Sequence, residues 1–437
     1  MPFEPDFPPA VAEPDTHLAT LANGLRVVAI RLPQRATVSL SVFVRTGSQH
    51  ESRRLNGISH VVEHMAFKGT QTRDCQRINF DAERLGAEVN AHTDKDHTAF
   101  HLEGLARDLG AFVPMLGDIV LNSTFPEEEL ERERQVILHE YTEYEEDPAL
   151  LAFSLFDRAC YGDHPLAQAV IGTRANVRRF SRSDLLAYVG RQYTAANVVV
   201  AGAGAIDPER FVRDIEAAFG AMPGGTENQV ADPAFLGGIK TRRLGGHSQC
   251  HAVLGFAAPS LRQYPVPHAL AAALFGEGMS SPLLDEIRER RGLAYYAACS
   301  ADIGSLASQF VVEAATAPEQ AEEFLVEVTR LLRLQADRAD PAGLQRARNQ
   351  LAVRALRGQE QPSRLVEAAA LDTFTFGHPR RTSAYLDRLA AVTAAELRSV
   401  FEHMLASPVA AALAGRVPAA ARDRLHELVA TGALGRR

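Results

Sequence analysis

Two histidines and a glutamate in one short segment carry the strongest chemical signal in the chain. The segment reads His-Val-Val-Glu-His, from His60 through Glu63 to His64. On a helix His60 and His64 share one face, because they lie four residues apart, and two imidazoles at this spacing can bind one zinc ion. Glu63 reaches the same face, either as a third ligand or as the base that activates a metal-bound water. Such a short pattern also arises by chance, and paired histidines can simply lie on a helix surface.

The flanking residues indicate that this helix is buried against a sheet. The apolar positions are Ile58, Val61, Val62, Met65 and Ala66. Two histidines and a glutamate buried without partners would cost several kcal/mol, and a metal ion satisfies all three. Upstream, apolar residues alternate over residues 38–44, which predicts a strand. We therefore expect a metal-binding helix that packs on a sheet.

A third protein ligand has to come from elsewhere, because catalytic zinc usually takes three and leaves one position for water. A long helix is predicted to begin near Pro126, where a proline precedes three glutamates, as suits a helix N-terminus. Glu133 and Glu140 lie seven residues apart on this helix and share a face. Either is a candidate ligand, although most glutamates in such a setting are solvated.

These residues and two further segments resemble the pitrilysin-type inverzincin peptidases, in particular the short two-chain branch of mitochondrial processing peptidase and its bacterial relatives. The order His-x-x-Glu-His inverts the commoner His-Glu-x-x-His string. The family segment Asn-Ala-x-Thr is matched by residues 90–93, and the segment from an arginine to Gly-Leu-x-Tyr is matched by residues 288–295. The resemblance extends from about Leu21 to near the C-terminus.

The resemblance implies a zinc site and a set of roles. The third ligand of the family is a glutamate about 76 residues after the second histidine, which is Glu140 here, and Glu133 fills the place of a second glutamate seven residues earlier. One zinc ion per chain is expected on His60, His64 and Glu140. Glu63 would be the base for the zinc-bound water, and Glu133 would support a ligand.

Four further residues are expected to contact the substrate. By resemblance, Asn90 and Ala91 border an edge strand that pairs with extended peptide, and Arg288 and Tyr295 reach across the cleft towards the developing oxyanion. From the residues alone, an Asn-Ala pair is usually a turn, and the arginines at 288, 290 and 291 are an exposed basic helix end. His92 departs from the family, which often has tyrosine at this position, and its role is open.

The expected architecture is α+β, with two similar halves that each contain a mostly antiparallel sheet covered by helices. We assign residues 1–20 to an N-terminal arm, 21–221 to the zinc-binding half, 222–240 to a proline- and glycine-rich linker, and 241–437 to a degenerate second half. The segment Leu130–Tyr141 matches Leu344–Ala355, so that Ala347 replaces Glu133 and Arg354 replaces Glu140. The helix of residues 60–64 matches residues 270–274, where all three site residues become apolar.

The function implied is that of a zinc metalloendopeptidase for unfolded peptides. A chain of 437 residues would form half of the family's closed chamber, so a second homologous chain is expected, in a homodimer or beside an inactive homologue. A noncatalytic partner subunit of a peptidase complex is the alternative, and a zinc hydrolase of non-peptide substrates is a third possibility. The edge-strand segment disfavours this third possibility.

Composition excludes several other classes. The content of 46% apolar and 23% charged residues fits a globular protein of two or more domains. A net charge of −8 argues against nonspecific nucleic-acid binding, and no apolar run approaches a membrane span. The four cysteines are far apart and predict isolated thiols. No signal peptide precedes the chain as given, which predicts a cytoplasmic protein, or a periplasmic one if Met1 stands in place of a removed signal peptide.

Overall fold

Two mixed sheets, each covered by helices, form the framework of the molecule. The computed structural model describes residues 12–338 and 340–430. One sheet has six strands in the order β1-β2-β6-β3-β5-β4, and the other has five in the order β7-β11-β8-β10-β9. Each contains one parallel pair, and its remaining neighbours are antiparallel. The predicted α+β architecture of two halves is confirmed.

The first half contains six strands and eight helices among the described residues. Its strands are β1 (Asp15–Thr20), β2 (Arg26–Arg31), β3 (Thr37–Val44), β4 (Glu88–Thr93), β5 (Thr98–Leu105) and β6 (Val198–Gly204). Its helices are α1 (Ile58–Ala66), α2 (Cys75–Arg84), α3 (Leu109–Leu121), α4 (Glu127–Glu146), α5 (Pro148–Tyr161), α6 (Arg174–Arg179), α7 (Arg182–Gln192) and α8 (Pro208–Phe219). Short 3-10 turns occur at Ser48–His50, Ala106–Asp108, Pro165–Ala167 and Ala195–Asn197.

The second half contains five strands and eight helices among the described residues. Its strands are β7 (Gly238–Arg243), β8 (Cys250–Ala258), β9 (Ala294–Ile303), β10 (Ser308–Thr316) and β11 (Val409–Gly415). Its helices are α9 (Val266–Gly276), α10 (Pro282–Leu284), α11 (Ala321–Asp337), α12 (Pro341–Gln359), α13 (Pro362–Phe376), α14 (Thr382–Ala391), α15 (Ala394–Ala406) and α16 (Ala419–Ala430). A π-helical turn at Asp285–Arg290 continues α10, and 3-10 turns lie at Leu261–Gln263 and Pro318–Gln320.

The internal repeat extends through the whole sheet. Strands β2, β3, β4, β5 and β6 correspond in order and pairing to β7, β8, β9, β10 and β11. The parallel pair β2–β6 has its counterpart in β7–β11, and the edge strand β4 has its counterpart in β9. Helices α4 and α12 follow at equivalent places in the two halves. The faint sequence repeat is therefore a structural duplication.

In each half, one helix packs against the sheet of the other half. Helix α5 of the first half packs against β8, β10 and β11, where Phe156 lies in a buried cluster with Val253 and Ala412. Helix α13 of the second half packs against the first sheet, where Val366 joins a cluster with Phe43 and other strand residues. Helices α5 and α13 directly follow α4 and α12, so this exchange is part of the duplication.

Two of the predicted boundaries shift. Asp15–Thr20, which we assigned to the N-terminal arm, form β1 and pair with β2 at the edge of the first sheet. The last residues assigned to the linker belong to β7, which starts at Gly238 and pairs with β11. Residues 1–11 of the arm lie outside the described residues. Sequence composition marked these segments as irregular because neither has a continuous alternating pattern.

Two further expectations concern the cysteines and membrane spans. All four cysteines are free thiols, as expected from their spacing. Within the described residues, each helix is too short or too polar to cross a membrane.

Candidate functional site

The buried carboxylate of Glu51 holds the N-terminus of helix α1, which carries the His-x-x-Glu-His residues. Glu51 is 2% exposed and accepts hydrogen bonds from the backbone N–H groups of Gly57 at 2.7 Å and Ser59 at 2.8 Å. Burial raises the pKa of Glu51, although the hydrogen bonds from Ser59, Gly57 and Asn56 act to lower it. A carboxylate at a helix N-terminus also complements the helix dipole. Glu51 thereby fixes where α1 begins and how it is oriented.

Close backbone contact holds the same helix terminus. Gly57 has a φ of 98°, and a Cβ atom at this position would lie 2.8 Å from the Cα of Gly172. Ser59 adds a side-chain hydrogen bond to Tyr188, with 2.8 Å between the two hydroxyl oxygens. A residue with a side chain at position 57 would therefore displace α1.

The two histidines of α1 and one glutamate of α4 converge on a single point. The Nε2 atoms of His60 and His64 lie 3.8 Å and 3.5 Å from Oε2 of Glu140. One ligand atom from each of the three residues lies within 4.8 Å of the other two. Bonds of about 2.0–2.1 Å to one tetrahedral ion place ligand atoms about 3.3–3.5 Å apart. The three residues fit a zinc ion with small adjustments.

His60 is in the chemical form that a metal requires. Burial, followed by the neighbouring His64, lowers the pKa of His60 to about 3, so His60 is neutral at physiological pH. Its Nδ1 atom is buried and has no hydrogen-bond partner among the described residues. Burying Nδ1 without a partner costs free energy, and a favourable interaction at Nε2 of the same ring would offset this cost. A bound cation would supply that interaction.

Glu133 lies behind His64 and orients it. Oε2 of Glu133 accepts a hydrogen bond from Nδ1 of His64 at 3.1 Å, and Oε1 lies 2.7 Å from Nζ of Lys68. Burial acts to raise the pKa of Glu133, but the hydrogen bonds from Lys68 and His64 outweigh it and lower the pKa. The carboxylate is therefore ionised and holds His64 with Nε2 towards Glu140. This is the arrangement by which a carboxylate supports a metal-bound histidine.

Glu63 projects beside the two histidines and is held by the edge strand. Oε2 of Glu63 accepts a hydrogen bond from the hydroxyl of Thr93 at 3.1 Å. Burial raises the pKa of Glu63, and Glu140 acts in the same direction, whereas His64 and Thr93 lower it. A carboxylate with a raised pKa is a better proton acceptor than one in water.

Asn90 and Ala91 lie on β4, the outer strand of the first sheet. One side of β4 pairs with β5, and the strand order leaves its other side at the sheet edge. Asn90 is exposed and its side-chain oxygen accepts a hydrogen bond from the backbone of Ala91. The expectation that these residues lie at an edge strand is met, and the alternative of an isolated turn is not.

Arg288 and Tyr295 lie together in the second half. The guanidinium of Arg288 stacks over the Tyr295 ring at 4.9 Å, and Tyr295, on the edge strand β9, is 81% exposed. Among the described residues neither forms a hydrogen bond or ion pair with His60, His64 or Glu140. Arg291, by contrast, pairs with Glu286 and therefore belongs to a surface ion-pair network.

Three residues that position the site were given no role from the sequence, although Thr93 belongs to the Asn-Ala-x-Thr segment. Glu51 holds the start of α1, Lys68 neutralises Glu133, and Thr93 holds Glu63. Lys68 lies four residues after His64, so helical spacing offered a signal for it. Glu51 precedes the helix by a loop and Thr93 comes from a distant strand, so only the tertiary structure brings them in.

Models of two domain families match the chain. Residues 26–174 match the insulinase domain of peptidase family M16, and residues 179–351 match the M16 inactive domain. The first match contains His60, His64 and Glu140, and the second contains the degenerate helices α9 and most of α12. The second match begins before β6 and α8, so its boundary lies ahead of the one between the two structural halves.

Solved structures share the fold across nearly the whole chain. A protease from Helicobacter pylori superposes with a TM-score of 0.85 at 21% identity, over 92% of this chain and 99% of the other. A peptidase M16 inactive domain from Pseudomonas fluorescens gives a TM-score of 0.85 at 20% identity, over 93% and 99% of the two chains. These likenesses support the fold.

Sequence relatives bear the name of uncharacterized zinc proteases. One from Streptomyces coelicolor is 31% identical over 94% of this chain and 92% of its own length. Another from Rickettsia bellii is 28% identical over 91% of this chain and 97% of its own length. On the strength of these full-length relatives and the domain matches to both halves, the chain belongs to the M16, or insulinase, family of peptidases.

Proposed function

We propose that the chain is a zinc metalloendopeptidase that hydrolyses unfolded peptides. The observation that carries the proposal is the convergence of three ligand atoms from two helices, within 4.8 Å of one another, next to the half-buried carboxylate of Glu63. Two imidazoles and one carboxylate are the protein ligands of many catalytic zinc sites. The names of the sequence relatives as zinc proteases support the same activity.

His60, His64 and Glu140 would hold the ion. When bound, zinc would polarise the scissile carbonyl and lower the pKa of the attacking water. Glu133 and Lys68 keep His64 in the orientation that ligation requires. Because His60 is neutral, its Nε2 lone pair is available without loss of a proton.

Glu63 is the proposed general base. Thr93 holds the carboxylate through one oxygen, which leaves the other oxygen to accept a proton from the attacking water. The same carboxyl group would then donate that proton to the departing amine. Burial raises the pKa of Glu63. A raised pKa suits a carboxyl group that accepts a proton from water and then donates it to the amine.

The exposed side of β4 is the proposed binding surface for peptide. An extended substrate could add to the sheet beside Asn90 and Ala91, using main-chain hydrogen bonds that tolerate many sequences. Thr93 lies on this strand and contacts Glu63, so a peptide paired with β4 would run next to the proposed base. This continuity supports a peptide substrate over a small non-peptide one.

Arg288 and Tyr295 are proposed to complete the site from across the cleft, where their side chains would stabilise the oxyanion. Tyr295 is exposed on β9, and Arg288 stacks over its ring from the preceding π-helical turn, which supports contact with a substrate. We also propose that two homologous chains enclose the substrate, as a homodimer or with an inactive homologue. The match of the second half to the M16 inactive domain supports a paired arrangement.

Cleavage of a quenched fluorescent peptide tests the proposal. The purified chain should cleave an unstructured peptide, lose activity with a zinc chelator and recover it when zinc is restored. His64→Ala should lose both zinc and activity, whereas His139→Ala, an exposed histidine on α4, should lose neither. Size-exclusion chromatography with light scattering should show a dimer, either of the chain alone or after mixing with a homologous partner chain. A zinc-loaded chain that cleaves nothing, alone or with a homologous partner chain, would favour the noncatalytic alternative.

A further inference from the structure

Three histidines gather on the face of the first sheet opposite to α1. Thr93 of β4 points towards Glu63 on α1, so its neighbour His92 points to the other face, as alternation along a strand requires. His97 and His101 lie on that face too, with rings 5.7 Å and 5.8 Å from the ring of Phe43. Phe43 packs with residues of α13. This histidine cluster is therefore separated from the proposed catalytic ion by the sheet.

Hydrogen bonds link the three histidines of this cluster in series. Nδ1 of His101 lies 2.8 Å from the hydroxyl oxygen of Ser41, and its Nε2 lies 2.8 Å from Nδ1 of His92. Nε2 of His92 lies 3.1 Å from Nε2 of His97. Nδ1 of His97 donates to Oδ1 of Asp96 at 2.7 Å. Each ring nitrogen of the cluster thus has a polar partner.

Within this series of hydrogen bonds, the contact between His92 and His97 is unusual. Two Nε2 atoms 3.1 Å apart share one proton, since one nitrogen must donate and the other accept. Two ligands of one zinc ion, each with a bond of about 2.0–2.1 Å, stand at nearly the same separation. A divalent ion can therefore replace the shared proton, which leaves to solvent, with little movement of either ring.

The other nitrogen of each ring is already held as a metal ligand requires. Asp96 accepts a hydrogen bond from Nδ1–H of His97. Nδ1–H of His92 can donate to Nε2 of His101, whose own Nδ1–H then donates a hydrogen bond to the hydroxyl oxygen of Ser41. His97 is 3% exposed, so its orientation is fixed by packing as well. Carboxylate and hydrogen-bonded neighbours of this kind orient histidine ligands in metal sites.

Asp94 supplies a third donor. A carboxylate oxygen of Asp94 and one nitrogen each of His92 and His97 lie within 4.8 Å of one another. We propose that His92, Asp94 and His97 form a second site for a divalent transition-metal ion, on the β4–β5 turn. Two imidazoles and one carboxylate suit zinc and similar ions better than magnesium or calcium.

The β4–β5 turn, which bears Asp94 and His97 just after His92 on β4, is fixed at both sides. A Cβ atom at Gly47 would lie 2.2 Å from the carbonyl oxygen of Asp94, so only glycine permits this close approach. Nζ of Lys95 donates to the carbonyl oxygen of Leu166 at 2.9 Å. A turn held in this way presents its ligands without an ordering cost on binding.

Counting bound zinc tests the proposal. The purified, chelator-stripped full chain is dialysed against zinc ion alone and its metal content is measured. We expect two equivalents in the wild type, one in His92→Phe, one in His64→Ala and none in the double variant. Asp94→Asn changes an exposed side chain, and should weaken the second equivalent at least about tenfold, as loss of a metal-site partner does.

Matched controls separate metal binding from misfolding. His17→Phe is the matched control, because it removes an exposed histidine that lies beside a carboxylate, 3.0 Å from Asp15, but belongs to neither proposed metal site. This variant should keep two equivalents of zinc. Each variant should retain the wild-type circular dichroism spectrum. The proposal is overturned if the wild type binds a single equivalent that His92→Phe retains, if His92→Phe and Asp94→Asn both bind zinc as the wild type does, or if His64→Ala binds none.

Discussion

Helices α4 and α12 occupy equivalent places in the two halves and have opposite chemistry. Glu133 on α4 is 8% exposed and contacts His64 and Lys68, whereas its counterpart Ala347 on α12 is fully buried in an apolar core. Glu140 faces two imidazoles, whereas its counterpart Arg354 forms an ion pair with Glu277 at 2.5 Å. At this helix position, a carboxylate is buried only in the half where cationic and polar groups surround it.

Helices α1 and α9 show the same contrast. The positions of His60, Glu63 and His64 are matched in α9 by Leu270, Ala273 and Leu274, which are all buried. In the second half the space is filled by hydrophobic packing, and in the first half it holds polar groups that need a partner. The same helix arrangement thus accommodates either the polar site or an apolar core at these positions.

The largest effect is expected from making Glu63 unable to accept a proton. Glu63→Gln keeps the size and the contact to Thr93 but removes the base, so kcat should fall by about 100- to 10,000-fold. Zinc content should stay at the wild-type level, because the three proposed ligands are intact. Steady-state kinetics and metal analysis check both statements, and substantial turnover in this variant would refute the assignment of the base.

Introducing a glutamate at position 347, the counterpart of Glu133 in the second half, should destabilise the protein. Ala347→Glu buries a charge without the lysine and histidine that surround Glu133, which should cost about 3 kcal/mol or more in the free energy of unfolding. Urea unfolding measures the loss. The control is Val353→Glu on the same helix, where the side chain is 52% exposed and the change should stay within about 0.5 kcal/mol. Equal stability of both variants would show that the surroundings do not matter.

Removing the support of His64 should weaken the site without deleting a ligand. Glu133→Ala leaves Nδ1 of His64 and the amine of Lys68 without their carboxylate, and zinc affinity should fall by about 10- to 100-fold. Competition with a zinc indicator measures this affinity. Glu128→Ala, an exposed residue at the start of the same helix, is the control. Unchanged affinity in Glu133→Ala would mean that the carboxylate serves only the fold.

The smallest effect is expected from the edge strand. Thr93→Val removes the hydroxyl that holds Glu63, a charge-assisted hydrogen bond of roughly 1.5 kcal/mol, so kcat should fall about tenfold. Thr93→Ser keeps the hydroxyl and should retain most of the activity. If the valine variant matches the wild type in kcat, Glu63 is positioned by other contacts.

Local patterns in the sequence predicted much of the fold. The alternation over residues 38–44 became β3, and the long helix predicted to begin near Pro126 became α4. The duplication was visible because α4 and α12 keep the same apolar spacing. What local patterns could not supply was the exchange of α5 and α13, since contacts between distant segments leave no periodic signal in either helix.

The site was predictable where helical spacing or the family resemblance supplied the residue. His60 and His64 follow from their spacing, and Glu140 was chosen over Glu133 through the resemblance. The roles of Glu51 and Thr93 were not accessible, because their partners lie across a loop and on another element. Arg288 and Tyr295 contact each other, as expected of residues that act together, but their part in catalysis stays a prediction.

Anomalous diffraction at the zinc absorption edge, from crystals of zinc-loaded protein, tests the central claim most directly. The account predicts an ion at about 2.0–2.2 Å from Nε2 of His60, Nε2 of His64 and a carboxylate oxygen of Glu140. It also predicts no ion among Leu270, Leu274 and Arg354 at the equivalent place in the second half. Zinc-loaded crystals in which the space between His60, His64 and Glu140 holds no metal would contradict the account.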